Sequence, residues 1–235
     1  MIKVELNEIA GFKSAVMGMR NPMNSWWKSD SHMQTVVDDE GQHEEFVLGQ
    51  EDLKLMQNLS SAGVEHRTFA RMIQVWVTID APLYWWKEMD RYTVGKTQVS
   101  CSTMHKIHAK EFTMDDFSVE NLHGVEAVRA MVAVINALNR AREGFIGCEQ
   151  KLKRTDLTEA ERKHTTAQKK YFFDTMIQLL PSSYNQKRTI NMNYEVCMKI
   201  WKERHNHKLK EWHILCDFIM NLPFLKQIMN LKVGG

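Results

Sequence analysis

The chain lacks most of the features that announce a chemistry. Its four cysteines, Cys101, Cys148, Cys197 and Cys216, include no CxxC pair. In a cytosolic chain they read as reduced thiols, buried or partly buried. Charge of one sign is missing: 31 Lys and Arg stand against 29 Asp and Glu, a net charge of +2. Nothing in that balance suggests a general polyanion binder, so no nucleic-acid partner is expected, while a local basic pocket has room. No apolar run reaches the roughly eighteen residues of a membrane span. The first residues, MIKVELNEIAGF, lack the apolar stretch of a signal peptide, so a cytoplasmic protein is expected, in a bacterial host or producer. There is no GxSxG, no GxGxxG and no Walker A loop.

What is present is ordinary in bulk and unusual in detail. Hydrophobic residues make up 43% and charged residues 26%, values of a globular protein, and 235 residues suffice for a real core. Met (16) and Trp (7) are abundant, as suits buried helix faces, ligand-lined pockets and oligomer interfaces.

Residues 2–9 alternate apolar and polar and predict a strand. A short helical piece follows and breaks at Asn21-Pro22. Residues 28–45 are polar, without periodicity, and read as a flexible loop. Leu53, Met56 and Leu59 mark a helix that Gly63 closes. Alternating Phe69, Ile73, Val75, Val77 and Ile79 predict a strand within Thr68–Asp80. Pro82 stands where a helix begins, PLYWWKEMDRY, and TVGKTQVSCS reads as a polar loop. Thr113 or Asp115 supplies an N-cap. Val128, Met131, Ile135 and Leu138 form the stripe of a helix over 123–149, and the charged run after it continues a helical hairpin that ends at Pro181. Residues 190–223 read as one long helix or two shorter ones, and 224–235 as a weak tail. The result is α+β, a few strands with many helices in a single domain, 1–235.

Candidate chemistry is diffuse. His105, His108 and Glu111 share a helix face only if a helix spans them, and plain surface residues account for them better than a metal site. His205 and His207 point apart, so no metal is expected. Ser100, Cys101 and Ser102 neighbour His105 in sequence without a visible nucleophile–base pairing. Lys187 and Arg188 follow a Pro-Ser-Ser turn and make an anion-binding corner. Arg204 lies in a helix rich in apolar residues, where a guanidinium usually has a carboxylate or phosphate partner.

The order of His66 and Phe69 before a strand, Pro82 opening a helix, Leu180-Pro181, Asn193 and Arg204 resembles the flavin-dependent thymidylate synthases over roughly residues 2–215. The resemblance implies that family's fold, a small sheet with many helices assembled as a homotetramer. Laid without gaps from Pro82, the family's RHRxxSxNxxSxRY segment falls on Arg91–Met104. Arg91 keeps the first Arg. Tyr92, Thr93, Lys96, Gln98, Cys101, Thr103 and Met104 replace, in order, His, Arg, Ser, Asn, Ser, Arg and Tyr. Thr cannot supply a cationic fork, and "LKEWHI" lacks the Arg that the family's substrate-binding helix carries.

Retained architecture with lost arginines points to a nucleotide-binding protein without the canonical synthase activity, of which a phage-encoded sponge for a nucleotide signal is one form. The alternative is an active flavin-dependent methyltransferase or thymidylate synthase acting on a pyrimidine nucleotide such as (d)UMP, with FAD as cofactor. A purely structural oligomerisation module is the third reading. On the resemblance, the ligand contacts are Arg91, Lys96, Gln98, Ser100, Ser102, Lys187, Arg188, Asn193 and Arg204. Tyr84, Trp85 and Tyr92 (with Trp86 beside them) are the stacking candidates. No catalytic residue is assigned.

Overall fold

The computed structural model describes residues 2–39 and 41–231. In chain order the elements are β1 (Lys3–Ala10), α1 (Phe12–Arg20), β2 (His32–Asp38), β3 (Gly41–Val47), α2 (Gln50–Ala62), β4 (Gln74–Pro82), α3 (Leu83–Met89), β5 (Lys96–Ser100), α4 (Thr103–Lys106), α5 (Val125–Leu152), α6 (Glu159–Leu179), β6 (Asn185–Asn193), α7 (Tyr194–Arg204), α8 (Lys210–Met220) and α9 (Leu225–Ile228). Strands β1, β4, β6 and β5 form a four-stranded sheet in that order, and β2 and β3 form a separate hairpin. The α+β class expected from the sequence is the one observed.

The chain divides into two compact units. One holds the first residues through Lys3, Asp80–Met89 and Ser100–Arg188; the other holds Val4–Ile79, Asp90–Val99 and the chain from Thr189 onward. In the first unit α5 and α6 form the helical hairpin that the periodicity predicts. Met131, Ile135, Leu138 and Phe145 of α5 pack with Met176 of α6 and with Ile107, Phe112 and Phe117. Val128, expected on the same stripe, is 43% exposed. Thr158 caps α6 in a reciprocal box with Glu161, which satisfies two amides that a helix start leaves open.

In the second unit β4 alternates buried and half-buried residues, with Val75, Val77 and Ile79 inward. The strand starts at Gln74, later than expected, because Val64–Arg71 coil into 3-10 turns. Gly63 ends α2 at φ 135°, a conformation open to glycine.

Four expectations are corrected. Residues 28–45 are not a loop over their length: His32–Asp38 and Gly41–Val47 pair antiparallel, His32 opposite Val47 and Asp38 opposite Gly41. TVGKTQVSCS contains strand β5, and the anion corner belongs to strand β6. Residues 190–223 begin in a strand and then form two helices, broken between Arg204 and Lys210. In the tail, α9 buries Leu225 and Ile228; residues 232–235 lie outside the described ones.

Candidate functional site

In the first unit, two stretches singled out separately in the sequence are stitched together. The Cys101 amide donates to the Lys187 carbonyl at 2.9 Å, and the Gln186 side-chain amide donates to the Cys101 carbonyl at 2.8 Å. This sets Ser100, Cys101 and Ser102 beside Lys187. Ser102 then caps α4, its hydroxyl accepting the His105 amide at 3.1 Å. An open cleft of about 620 Å³ lies here, lined among others by Cys101, Ser102, Thr103, Lys106, Lys110 and Lys187. Lys3, Asp80, Thr113, Asp115, Asp116 and Tyr184 are among its other polar walls.

The local order of this cleft is held by Asp116. Its carboxylate is buried, accepts the Thr113 amide at 2.8 Å, and pairs with Lys110. Thr113 is thus the N-cap, of a 3-10 turn (Met114–Asp116) rather than of the long helix. Burial, then the charges of Asp116 and Asp80, push the Tyr184 phenol above its ordinary range. Ammonium groups, hydroxyls and carboxylates together line this cleft, a mixture that suits a ligand carrying an anion and N–H donors.

Arg188, one residue on, does not join them. Its guanidinium lies 4.3 Å from the Trp86 ring centre and its Nε donates to Gln186 at 3.0 Å. Trp86 is buried, and its Nε1 donates to the Gln186 carbonyl at 2.9 Å. Trp85 is fully buried, so neither ring offers a face for stacking on a ligand. Tyr84 is half-buried and keeps exposed surface.

The remaining candidates belong to the second unit. The Lys96 side chain is 4% exposed and lies 3.8 Å from Asp90. It donates to Gln98 at 3.0 Å, while Gln98 donates to Asp90 at 2.8 Å. Both are therefore committed to a local network. Asn193 is buried and caps α7, accepting the Val196 amide at 3.0 Å. Tyr92 is 6% exposed and edge-on to Trp212, which removes it as a stacking surface. Its hydroxyl donates to Glu203 at 2.8 Å and accepts from Arg204 at 3.0 Å. Arg204 also lies 4.8 Å from the Trp212 ring centre. Arg91 is exposed.

The histidines have structural settings. Helix α4 ends at Lys106, so His105, His108 and Glu111 share no helix face, and the His108 ring packs 4.3 Å from Phe145. His205 stacks on Trp201, and His213 contacts the His207 carbonyl at 2.6 Å. Among the described residues no three His, Cys, Asp or Glu groups could hold a metal ion. Cys148, Cys197 and Cys216 are buried and Cys101 is exposed, all as free thiols. Among the described residues no helix is long and apolar enough to cross a membrane.

Lys3, Asp80, Lys106, Lys110 and Asp116 were not singled out by the sequence. They carry no motif and come from distant segments; the Thr113 capping signal was the one pointer toward Asp116.

A flavin dinucleotide needs donors for its pyrophosphate. On Arg91–Met104 the cations are Arg91, Lys96 and none at Thr93 or Thr103, and the Lys96 ammonium is already engaged with Gln98. Within that segment Arg91 is the cation left for such a group.

No known family profile matches the chain, and no curated protein matches it in sequence. Its structure, however, is similar to solved ones. A flavin-dependent thymidylate synthase, ThyX, from Helicobacter pylori, complexed with FAD and dUMP, superposes with a TM-score of 0.60 at 15% identity. That match covers 97% of each chain. A second Helicobacter pylori ThyX structure with FAD and dUMP gives 0.57 at 14% identity over 97% of each. The chain therefore has the flavin-dependent thymidylate synthase fold over nearly its whole length.

Proposed function

We propose that this protein binds a nucleotide on the thymidylate synthase-type scaffold without carrying out the canonical synthase reaction. The supporting observation is the cleft of the first unit, where Lys106, Lys110 and Lys187 stand with Ser102, Thr103 and Thr113 around one space. Ammonium and hydroxyl donors hold a phosphate, and the carboxylates of Asp80 and Asp115 accept N–H groups of a base. Ser102 and Lys187 are the contacts carried over from the sequence; Ser100 flanks them. The loss of arginines at Thr93 and Thr103 supports binding in place of catalysis. Sequestration of a nucleotide signal, of the kind a phage sponge performs in a bacterial cytoplasm, is the form this reading takes, with the protein acting as a homo-oligomer, a tetramer by the fold's precedent.

The test begins with an absorbance spectrum of the purified protein and mass spectrometry of the small molecules released on denaturation. Colourless protein whose melting temperature rises with an adenine or cyclic nucleotide is the expected outcome. The rise is lost in Lys106→Ala/Lys187→Ala. If no nucleotide shifts the melting temperature, the reading fails. The likeness to structures holding FAD and dUMP favours a second reading, an active flavin-dependent pyrimidine-nucleotide methyltransferase. Yellow protein and rescue of a thymidine auxotroph support it; failure of well-expressed protein to rescue opposes the standard reaction.

A further inference from the structure

The segment from Arg20 to Ser31, in the second unit, is built from beneath around one carboxylate. Asp52, in the first turn of α2, is fully buried. It accepts Arg20 Nε at 2.6 Å, the Ser29 and Ser31 hydroxyls at 2.7 Å each, and the Ser31 and Asp30 amides at 3.1 and 3.2 Å. Asp30 returns the contact, accepting the Glu51 and Asp52 amides at 2.9 and 3.0 Å. Within the loop, Arg20 Nη1 donates to the Ser25 carbonyl at 3.3 Å and Trp26 Nε1 donates to Asn21 at 2.7 Å. A loop tied at this many points has one shape.

That shape displays apolar groups to water. Met23 is 81% and Trp27 80% exposed, although a large side chain gains most from burial. Lys28 Nζ lies 5.0 Å from the Trp27 ring centre. Beside them is a cleft of about 610 Å³ with Met23, Trp27 and Leu55 as apolar walls and Lys28, Lys54, Ser25 and Asn58 as polar ones. Arg20 and Glu51 complete the lining. The Arg20 charge is neutralised by Asp52, so Lys28 and Lys54 against Glu51 leave the cleft positive.

We propose that this cleft is a second ligand site, for an aromatic anion of the nucleoside monophosphate class. The ring lies on Trp27 between Met23 and Leu55, and Lys28 and Lys54 take the phosphate. An indole already displayed on a tied loop offers a stacking face without the loop backbone having to be ordered on binding. The inference shares no residue with the cleft of the first unit and does not depend on it.

The test is titration calorimetry with adenosine monophosphate, adenosine and inorganic phosphate. The full chain carries Lys106→Ala/Lys187→Ala, so that the other cleft does not contribute. Adenosine monophosphate is expected to bind, and Trp27→Ala to weaken it about tenfold or more, the scale of one lost base–aromatic stack. Trp27→Phe retains most of the affinity. Lys28→Ala/Lys54→Ala weakens the monophosphate and leaves adenosine unchanged. Trp27, Lys28 and Lys54 are all on the surface, and circular dichroism checks that each variant folds. The proposal is overturned if adenosine monophosphate does not bind, if Trp27→Ala binds it unchanged, or if phosphate alone binds as tightly. It is equally overturned if Trp27→Ala dissociates an oligomer in sedimentation while leaving nucleotide affinity intact, because the tryptophan then faces a second copy of the chain.

Discussion

The Arg204 guanidinium donates from Nε to the Tyr92 hydroxyl at 3.0 Å, and that hydroxyl donates onward to Glu203 at 2.8 Å. Tyr92 and Arg204 were both expected from the sequence to contact a ligand. The two positions are joined to each other within the second unit.

Tyr92 should therefore show itself in alkali. Burial, then the hydrogen bond to Glu203, raise its pKa from 10.0 to about 12, against the opposing pull of Arg204. The folded state keeps the proton longer than the unfolded chain. The contribution to stability is full below about pH 10 and is lost as pH rises toward 12. Tyr92→Phe is expected to flatten the fall in melting temperature over that window relative to wild type. An identical alkaline profile would mean that the hydroxyl is ionised alike in both states.

Asp52 works at the other end of the scale. Burial alone would raise its pKa. The Ser31 and Ser29 hydroxyls, the Arg20 guanidinium and the Ser31 amide outweigh burial and hold it below the usual carboxylate range. Its contribution is present above the unfolded value, near pH 3.8, and fades as pH drops through the lower folded one. Asp52→Ala leaves Arg20 buried without its partner and should cost roughly 3–5 kcal/mol in urea unfolding at neutral pH. The same variant should lose part of the wild-type acid transition.

How much of this was legible depends on range. The α5 stripe of Met131, Ile135 and Leu138 shows in the sequence because helix periodicity is local. Strand β6, NQKRTINMN, carries few apolar residues and is a strand because β4 and β5 pair with it, and its sequence contains neither partner. The hairpin of β2 and β3 is mostly exposed on both faces, so no alternation betrays it. The site divides the same way. Lys187 follows a readable turn. Lys106, Asp80 and Lys3 reach the cleft from separate segments, and only folding brings them together.

Arg188, expected at the ligand from the sequence, has partners within the protein. Its guanidinium is over the Trp86 ring at 4.3 Å and is bonded to Gln186. Arg188→Ala should destabilise the protein by about 1–2 kcal/mol through the lost cation–π contact and hydrogen bond. Arg188→Lys should recover part of that, since an ammonium keeps the charge without the planar stack. Nucleotide affinity should change little in both. A large loss of affinity with unchanged stability would return Arg188 to the ligand.

Gly95 tests the join between the turn before β5 and α7. It sits at φ 76°, and a Cβ there would come within 2.7 Å of the Asn193 side-chain nitrogen and 3.0 Å of Val196. Asn193 is the residue that caps α7 through the Val196 amide. Gly95→Ala therefore meets two obstacles, an unfavourable backbone and a displaced cap. Each costs about 1 kcal/mol, so a loss of about 2 kcal/mol is expected in thermal or urea unfolding. Asn193→Ala on its own should show the cap component of about 1 kcal/mol. In the double variant the losses should fall short of additive, because the shortened side chain no longer opposes the new methyl group. Strict additivity would mean that Gly95 is needed for its backbone conformation alone.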